Sequence, residues 1–218
     1  MTLEIFDLGL IEFKKAWDFQ KEIFFAVKKG DFHFGLILCR HYPVFTLGRL
    51  ADKANILEQG DIPCYEIERG GDVTYHGPGQ LTVYPIFDLH YLKKDLNFFL
   101  RFLEQGVIDL LSDFGIKGER VKGLTGVWIR EGVKPLKIAS IGISVKNWIT
   151  FHGVSFNVKK DDLANFRLIR PCGMDYPMTS LESLLGRDVE MDDIKSNLID
   201  KFSHQEVSDG QSCASGIR

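Results

Sequence analysis

Residues 69–80 read Arg69-Gly70-Gly71-Asp72-Val73-Thr74-Tyr75-His76-Gly77-Pro78-Gly79-Gln80, and this run is the densest stretch of unusual backbone in the sequence. Its four glycines allow positive φ angles and let a ligand come close to the main chain, while Pro78 stiffens the turn. The apolar runs on either side, Cys64–Ile67 and Leu81–Phe87, are typical of strands. The sequence therefore predicts a glycine-rich functional loop between two strands, and the alternative is a long hairpin with glycines at its bends.

Length, composition and charge indicate one mixed α/β domain. A chain of 218 residues with 44% hydrophobic residues can bury a sizeable core, and the formal net charge of −3 provides no general basic field for nucleic acid. The apolar runs are too short to cross a membrane, and the first ten residues do not resemble a secretory signal. We therefore expect a cytoplasmic protein that binds neither nucleic acid nor membrane.

The four cysteines, Cys39, Cys64, Cys172 and Cys213, follow neither a zinc pattern nor a CxxC redox pattern. Four scattered cysteines in a chain of this length do not make a disulfide framework, which favours a reducing compartment. Cys39 and Cys64 lie in apolar, strand-like runs and are expected to be inert core thiols. The sequence predicts no metal site and no cofactor.

Hydrophobic periodicity predicts strands and helices with a substantial antiparallel component. Strands are expected at Leu3–Leu8, Phe34–Cys39, Tyr42–Arg49, Cys64–Ile67, Leu81–Phe87, Gly126–Arg130, Lys137–Val145, Trp148–Gly153 and Val154–Val158. Helices are expected from Phe13 to Gly30, from Asp95 to Gly115, from a capping box at Thr179–Glu182 to Gly186, and from Asp192 to Phe202. We predict one domain over residues 1–203 and a mobile polar tail at 204–218.

Cys172 is the first candidate for chemistry. It lies between Pro171, which rigidifies the approach, and Gly173, which leaves the following amide accessible, so a thiol on this turn can meet a substrate. The thiolate is the reactive form of cysteine, so a useful nucleophile needs a neighbouring positive charge that favours it. The alternative is a half-buried loop cysteine without a chemical role.

Lys137 is the second candidate because it begins an apolar strand and is followed by the small residues Ala139, Ser140 and Gly142. A lysine that faces the space beside small residues would be desolvated, which lowers its pKa and lets it exchange protons near neutrality. The alternative is a lysine at a strand edge with its head in water.

Two histidines each precede a glycine, in Tyr75-His76-Gly77 and in Phe151-His152-Gly153. Either ring could serve as a base, as an oxyanion donor or as a scaffold.

Five blocks of the sequence together resemble the signature of the lipoyl(octanoyl) transferases, enzymes that move an octanoyl group from acyl carrier protein to lipoyl domains. The blocks are Arg69–Leu81, Thr125–Trp128, Lys137–Gly142, Thr150–Gly153 and Pro171–Met174, in the family's order and at plausible spacing. The resemblance extends from about Gly48 to Leu185, and Ser155-Phe156 departs from it where the family more often has Ala-Leu.

The resemblance implies the α/β (α+β) fold of the biotin and lipoate protein ligases, with mixed, largely antiparallel sheets and flanking helices in one domain. It implies Cys172 as the acyl-carrying nucleophile and Lys137 as its partner. The implied acyl pocket is bordered by Arg69, Gly70, Gly71, Asp72, Val73, Thr74, Tyr75, His76, Ser140, Ile141, Gly142, Gly153, Val154 and Ser155. We expect the glycines at 71, 142 and 153 to set the width of a narrow apolar slot.

The implied donor is octanoyl-acyl carrier protein, and the implied acceptors are lipoyl domains of 2-oxoacid dehydrogenase complexes and the glycine cleavage H protein. Transfer from a thioester to an amide needs no ATP, and the sequence has no Walker pattern. Three alternatives remain open. They are an ATP-dependent lipoate or biotin ligase of the same fold, a cysteine hydrolase that uses His76 or His152 with Cys172, and a non-catalytic module that binds an acyl carrier.

Overall fold

The computed structural model describes residues 3–132, 134–171 and 176–204. The strands in these ranges are β1 (Leu3–Ile11), β2 (Phe34–His41), β3 (Val44–Leu47), β4 (Cys64–Glu66), β5 (Val73–His76), β6 (Gln80–Phe87), β7 (Gly118–Val121), β8 (Leu124–Ile129), β9 (Leu136–Lys146) and β10 (Ile149–Asn157). The helices are α1 (Phe13–Lys29), α2 (Leu96–Asp113), α3 (Leu181–Leu185) and α4 (Met191–His204), and two 3₁₀ segments cover Lys53–Asn55 and Asp161–Leu168. Cys172 and residues 205–218 of the predicted tail lie outside the described residues.

The described strands form two sheets. The larger has the order β1-β2-β6-β10-β9-β8-β7, and the smaller has the order β4-β3-β5. β1 pairs parallel with β2 and β3 pairs parallel with β4, whereas the other neighbouring pairs of described strands are antiparallel. This architecture confirms the predicted single α+β domain with mixed, largely antiparallel sheets and flanking helices.

The apolar run of β2 is buried on both of its faces. Leu36 and Leu38 pack in one core cluster with residues of α2 and α4, whereas Ile37 and Cys39 pack in another cluster with residues of α1. Successive side chains of a strand point to opposite faces, so a continuous apolar run is suited to the middle of a covered sheet. The large sheet is therefore a central layer between α1 on one side and α2 with α4 on the other.

Two helix ends follow their sequence signals. The Asp95 carboxylate accepts a hydrogen bond from the Phe98 N–H at 3.0 Å, so it caps the start of α2 as predicted. Gly30 ends α1 in the left-handed conformation, with φ of 85°.

The start of α3 differs in detail from its predicted capping box. The cap is Ser180, whose hydroxyl accepts from the Ser183 N–H at 3.2 Å, and not Thr179. The Glu182 carboxylate does not close the box because it is buried and accepts a hydrogen bond from Lys159 Nζ at 2.9 Å. The predicted helix is confirmed, and the predicted capping box is wrong.

The glycine-rich stretch is not a loop throughout. Its residues Val73–His76 form β5, which pairs antiparallel with β3, so the predicted loop contains a strand of its own. The strand before the stretch, β4, belongs to the small sheet, whereas the strand after it, β6, belongs to the large sheet. The alternative of a long hairpin is therefore wrong, and the stretch joins the two sheets.

Three other elements differ from the sequence prediction. β10 runs without a break through Gly153, where two separate pieces are predicted. β7 and the 3₁₀ segment Asp161–Leu168 are not predicted at all, because neither has the regular apolar spacing of a strand or a helix. α4 begins and ends close to the predicted bounds.

Candidate active site

A cavity of about 400 Å³ lies between the two sheets. The predicted pocket residues that line it are Arg69, Gly70, Gly71, Asp72, Val73, Thr74, His76, Ser140, Ile141, Gly142, Gly153, Val154 and Ser155. Lys137 lines the same cavity. The cavity follows β9 from Lys137 to Ile143, a span of about 20 Å at the usual rise of about 3.3 Å per residue.

Tyr75 is the one predicted pocket residue that does not line the cavity. It is fully buried against Phe45 and Phe166, and its hydroxyl accepts a hydrogen bond from Asn165 at 2.8 Å. Side chains alternate along a strand, so its neighbours Thr74 and His76 line the cavity while Tyr75 points to the opposite face of β5. Burial raises the pKa of Tyr75 to about 12, and its assignment to the pocket is wrong.

Arg69 is a buried cation at the wall formed by the glycine-rich stretch. Its guanidinium donates to the Thr46 carbonyl oxygen at 2.6 Å, to the Thr46 hydroxyl at 3.1 Å and to the Gly70 carbonyl oxygen at 2.9 Å. The Gly70 N–H in turn donates to the Ile143 carbonyl oxygen at 2.9 Å. These bonds fasten this wall to β3 on one side and to β9 on the other.

Asp72 holds the neighbouring loop in place. Its carboxylate accepts hydrogen bonds from the Asp52 N–H at 3.1 Å, from the Asn55 amide at 2.5 Å and from the Val73 N–H at 2.7 Å. Because the carboxylate is occupied by the chain's own donors, its contribution to the cavity is to fix the shape of the wall.

His76 is held as a neutral ring between two hydroxyls. Its Nε2 lies 3.3 Å from Thr46 Oγ1 and its Nδ1 lies 3.3 Å from Ser155 Oγ, while the ring stacks on Phe13. Burial, together with the nearby His41 and Arg69, holds the pKa of His76 well below its usual range. This environment favours the scaffold role among those predicted for the ring.

His152 lies near the other end of the cavity in a left-handed backbone conformation, with φ of 57°. Its N–H donates to Gln20 Oε1 at 3.0 Å, and its ring Nε2 lies 3.6 Å from a carboxylate oxygen of Glu68. Burial lowers the pKa of His152, and the histidine holds the pKa of Glu68 at about 2. The register places His152 opposite Ile143, six residues along β9 from Lys137.

The wall formed by β9 and β10 is built from small residues. Gly142 pairs with Gly153, and Ser140 pairs with Ser155. A Cβ at Gly153 would lie 2.3 Å from the Val83 carbonyl oxygen, so only glycine allows β10 to approach β6 this closely. The predicted role of Gly153 in slot width is therefore corrected, because its missing side chain would meet the next strand. This close approach also explains why β10 continues through the glycine.

Lys137 lies inside the cavity wall with only 9% of its surface exposed. Its Nζ is 4.9 Å from the centroid of the Trp128 ring, a distance typical of a cation–π contact. Its N–H donates to the Pro177 carbonyl oxygen at 2.9 Å, and its carbonyl oxygen accepts from the Thr179 N–H at 2.9 Å. The alternative of a lysine with its head in water is therefore wrong.

Gly126 shapes the wall next to Lys137. It has a φ of 123°, and a Cβ there would lie 2.9 Å from Lys137 Cε, so the position requires glycine. Its N–H donates to the buried Glu104 carboxylate at 3.1 Å, and that carboxylate also accepts from Arg120 at 2.9 Å. A charged group of α2 thus fixes the part of β8 that packs against the lysine stem.

Cys172, the predicted nucleophile, lies outside the described residues. The described residues on either side of this segment, Pro171 and Tyr176, both line the cavity that contains Lys137. The Tyr176 ring packs edge-on against Trp128, with the centroids 5.1 Å apart. The chain therefore enters and leaves the Cys172 segment at the wall of this cavity.

The two described cysteines lack the features of a reactive thiol. Cys39 is fully buried, and burial raises its pKa far above the usual range, which agrees with an inert core thiol. Cys64 is half-buried and packs against the apolar cluster of Phe45 and Tyr75, and desolvation raises its pKa as well, which also agrees with an inert thiol. The described parts of the chain contain no cluster of three or more potential metal ligands and no helix long and apolar enough to span a membrane.

Some cavity residues are missed by sequence reasoning. Phe13 follows the helical spacing of α1 and Tyr84 lies in the apolar run of β6, so both are predicted to be core, yet both line the cavity. Met178 and Tyr176 follow the Cys172 block and carry no local signal for a pocket. Only the packing of the two sheets brings these residues to one site.

The chain resembles proteins of one family over most of its length. The family model described as the lipoyl protein ligase A/B catalytic domain matches residues 12–203. The octanoyltransferase of Pelobacter propionicus is 42% identical over 197 residues, which covers 90% of this chain and 91% of that protein. The octanoyltransferase of Gloeobacter violaceus is 45% identical over 178 residues, covering 81% and 78%.

Solved structures confirm the predicted kinship of the fold. A bipartite lipoate protein ligase from Thermoplasma acidophilum superposes with a TM-score of 0.73 at 16% identity, over 93% of this chain and 83% of that chain. The biotin protein ligase of Aquifex aeolicus, in complex with biotin and ATP, superposes with a TM-score of 0.53 at 11% identity, over 92% and 68%. At these identities the similarity concerns the fold alone.

Proposed function

Because the chain belongs to the family of lipoyl protein ligase A/B catalytic domains, we propose that it transfers its acyl group through a thioester on Cys172, with Lys137 as the partner of that thiol. The chain is an acyltransferase that moves an octanoyl group in lipoate biosynthesis and uses a lipoyl-domain protein as substrate. Residues 1–203 form the catalytic domain, and the reaction takes place in the cytoplasm.

One observation carries the proposal. Pro171 and Tyr176, the described neighbours of the Cys172 segment, line the same cavity as the buried Lys137. Pro177 and Thr179, just after that segment, hold the main chain of Lys137 by two hydrogen bonds of 2.9 Å. A thiol between these anchors is well situated to meet the lysine, whose positive charge would favour the thiolate.

The first half-reaction loads the enzyme. The Cys172 thiolate attacks the carbonyl carbon of octanoyl-acyl carrier protein, and a new carbon–sulfur bond forms as the carrier's carbon–sulfur bond breaks. The carrier leaves as a thiolate and takes the proton of the Lys137 ammonium, which leaves Lys137 neutral. One thioester replaces another, so the step is nearly balanced in free energy.

The second half-reaction passes the group to the acceptor. A lysine amine of a lipoyl domain attacks the octanoyl-Cys172 carbonyl, an amide bond forms, and Cys172 leaves as the thiolate. Neutral Lys137 accepts the proton that the attacking amine loses. Amide formation from a thioester is downhill, so no ATP is consumed. The acceptors are lipoyl domains of 2-oxoacid dehydrogenase complexes and the glycine cleavage H protein.

The acyl tail has room along β9. An extended eight-carbon chain is about 9 Å long with carbon–carbon bonds of about 1.5 Å. Gly142 lies five residues from Lys137, about 16 Å along the strand, so a tail of about 9 Å reaches Gly142 where its thioester lies about 7 Å from the Lys137 Cα, roughly the reach of an extended lysine side chain. The pocket residues Ser140, Ile141 and Gly142 would then flank the tail.

Two rival functions fit the site less well. A ligase of this fold would activate a free acid with ATP and would need no thiol at Cys172. A hydrolase would need a basic histidine at the thiol, but His152 lies about 20 Å from Lys137 along the sheet and His76 is a neutral ring bonded on both sides.

The test is the intact mass of the protein after incubation with octanoyl-acyl carrier protein and no ATP. We expect one octanoyl adduct, mapped to Cys172, and its transfer to an added lipoyl domain. The Cys172→Ser variant should form no thioester adduct, whereas the control Cys64→Ser should load like the wild type. An adduct on Cys39, Cys64 or Cys213, or an absolute need for ATP, would overturn the proposal, and release of free octanoate as the main product would favour the hydrolase. Binding of the carrier without an adduct would favour a non-catalytic module.

A further inference from the structure

Buried polar side chains form an unbroken series of hydrogen bonds beneath the cavity. At one end, Arg69 donates to Thr46 Oγ1, which lies 3.3 Å from His76 Nε2. The other ring nitrogen of His76, Nδ1, lies 3.3 Å from Ser155 Oγ. These contacts link the small sheet to β10 of the large sheet.

The series continues from Ser155 across the large sheet. The Ser155 hydroxyl donates to Gln80 Oε1 at 2.7 Å, and Gln80 Nε2 donates to Asn157 Oδ1 at 3.0 Å. Asn157 Nδ2 then donates to the Thr179 carbonyl oxygen at 3.0 Å. The N–H of the same Thr179 donates to the carbonyl oxygen of Lys137 at 2.9 Å.

The two ends of the series fix the direction of every bond between them. A guanidinium can only donate, and a main-chain carbonyl oxygen can only accept. The Thr179 carbonyl therefore requires the amide nitrogen of Asn157, which leaves the Asn157 oxygen to accept from Gln80. The Gln80 oxygen then requires the Ser155 proton, so Ser155 accepts from His76.

We propose that Gln80 and Asn157 are positioning residues for Lys137, which they reach through a one-way hydrogen-bond chain that holds His76 as the Nδ1–H tautomer. The chain is defined as Arg69, Thr46, His76, Ser155, Gln80, Asn157 and Thr179. Gln80 and Asn157 are 1% and 2% exposed, and neither lines the cavity. Their effect on chemistry rests on the proposed role of Lys137, whereas the tautomer of His76 does not.

Because these groups are buried, each of them must find its hydrogen-bond partner within the series. A buried donor or acceptor without a partner destabilises the fold, so every member depends on the orientation of the next one. Asn157 holds Thr179, and the segment from Pro177 to Thr179 pairs with Lys137 along its main chain. A change at Asn157 would therefore loosen the backbone that aims Lys137 without removing any atom from the cavity.

A double-mutant cycle tests the chain as a unit. Thr46→Val removes the hydroxyl that accepts from Arg69 and bonds to His76, with little change of shape. Asn157→Asp removes the amide donor to Thr179, and no direct hydrogen bond joins Thr46 and Asn157. We expect each variant to slow octanoyl loading of Cys172 about fivefold or more, because each breaks the series at one member. The double variant should be no slower than the slower single variant. If the slowing in the double variant equals the product of the two single effects, the proposal is overturned, because distant and uncoupled sites act independently.

Asn165→Asp is the matched control. Asn165 makes the same type of amide hydrogen bond, to the Tyr75 hydroxyl at 2.8 Å, but lies outside the chain and the cavity. This variant should load like the wild type, and the double variant with Thr46→Val should load at the rate of Thr46→Val alone. Thermal unfolding of each variant separates slow loading from loss of the fold.

The tautomer of His76 is tested in the wild-type protein, so the result does not depend on whether a variant folds. Nitrogen-15 NMR distinguishes a protonated from an unprotonated ring nitrogen, and the His76 signals are those lost in His76→Gln. We expect the proton on Nδ1 at neutral pH, and a proton on Nε2 would reverse the chain and overturn the proposal. If instead the wild type forms no adduct at Cys172, the proposed function fails while the NMR result still decides the chain.

Discussion

One face of the large sheet is buried by apolar packing, and the other is buried by hydrogen-bonded polar side chains. Val83 and Phe156 face α2 and pack in an apolar cluster with Leu103. Their neighbours along the same strands, Thr82 and Ser155, face the small sheet and line the cavity. One residue step along a strand thus separates a surface held by apolar area from a surface held by directed hydrogen bonds.

This difference divides the consequences of mutation between the two faces. Apolar burial is non-directional, so a loss on the α2 face should lower stability without changing the geometry of the cavity. Hydrogen-bonded groups on the other face have fixed directions, so a loss there should change the alignment of reacting groups more than the stability. A variant that lowered the stability and the loading rate to the same extent would show that the two faces are not independent.

The largest expected effect is on the α2 face. Leu103 is fully buried, so Leu103→Ala should lower the free energy of unfolding by about 3 kcal/mol through lost burial and the resulting cavity. The rate of octanoyl loading per folded molecule should stay at the wild-type value. Urea unfolding and single-turnover loading measure the two quantities, and the exposed Leu57→Ala is the control. A loading rate that falls in parallel with stability would show that the two faces are not separate.

The next effect belongs to the cavity face. Lys137→Arg keeps the charge but cannot accept a proton and brings a bulkier head beside Trp128, so turnover should fall about a hundredfold. Thermal stability should change little, because the stem can still pack in the wall. Lys146→Arg, an exposed position on the same strand, is the matched control. Near wild-type turnover in Lys137→Arg would reject Lys137 as the proton acceptor, though not as a counter-charge.

The same contrast explains how much of the fold could be predicted from the sequence. The helix from Leu96 to Asp113 repeats apolar residues at helical spacing and has a cap at Asp95, so local signals sufficed. The strand at Phe34–His41 begins with the continuous apolar run Phe34–Cys39, which is typical of a covered strand. The apolar pattern of these two elements shows that they are buried, and it does not depend on which part of the chain packs against them.

The cavity face depends on information that no local pattern contains. The glycines around Val73–His76 predict a loop, so the strand at this position is not evident from the local sequence. The orientation of Tyr75 depends on the pairing of β5 with β3. Gln80 and Asn157 are 77 positions apart in the chain, so their hydrogen bond exists only through the pairing of β6 with β10. Motif resemblance found most of the cavity wall, but register decided which side chains face it.

A smaller effect concerns the choice of acyl chain. A Cβ at Gly142 would lie 3.1 Å from Arg69 Cδ and 3.2 Å from the Gly70 carbonyl oxygen. A valine side chain there would therefore fill space between β9 and the wall formed by Arg69 and Gly70. Each buried methylene is worth about 0.8 kcal/mol, or about fourfold in affinity. We expect Gly142→Val to shift loading from octanoyl towards hexanoyl carriers, with little change in melting temperature. An unchanged profile over hexanoyl, octanoyl and decanoyl carriers in a folded variant would mean that the tail does not pass Gly142.

The smallest effect tests whether the charges at the far end of the cavity contribute to stability. The pKa of Glu68 is held at about 2 by His152, below its value of about 4.3 in an unfolded chain. A depressed carboxyl pKa stabilises the fold above the unfolded value, and this stabilisation is lost as the pH falls from about 4.5 towards 2. Because the Glu68 side chain is 39% exposed, solvent screening should reduce the effect to about 0.5 kcal/mol.

Urea unfolding at several pH values should therefore show a slightly steeper loss of stability in the wild type than in Glu68→Gln, with the exposed Glu22→Gln as the control. Parallel curves for wild type and Glu68→Gln would show that this pair contributes nothing measurable.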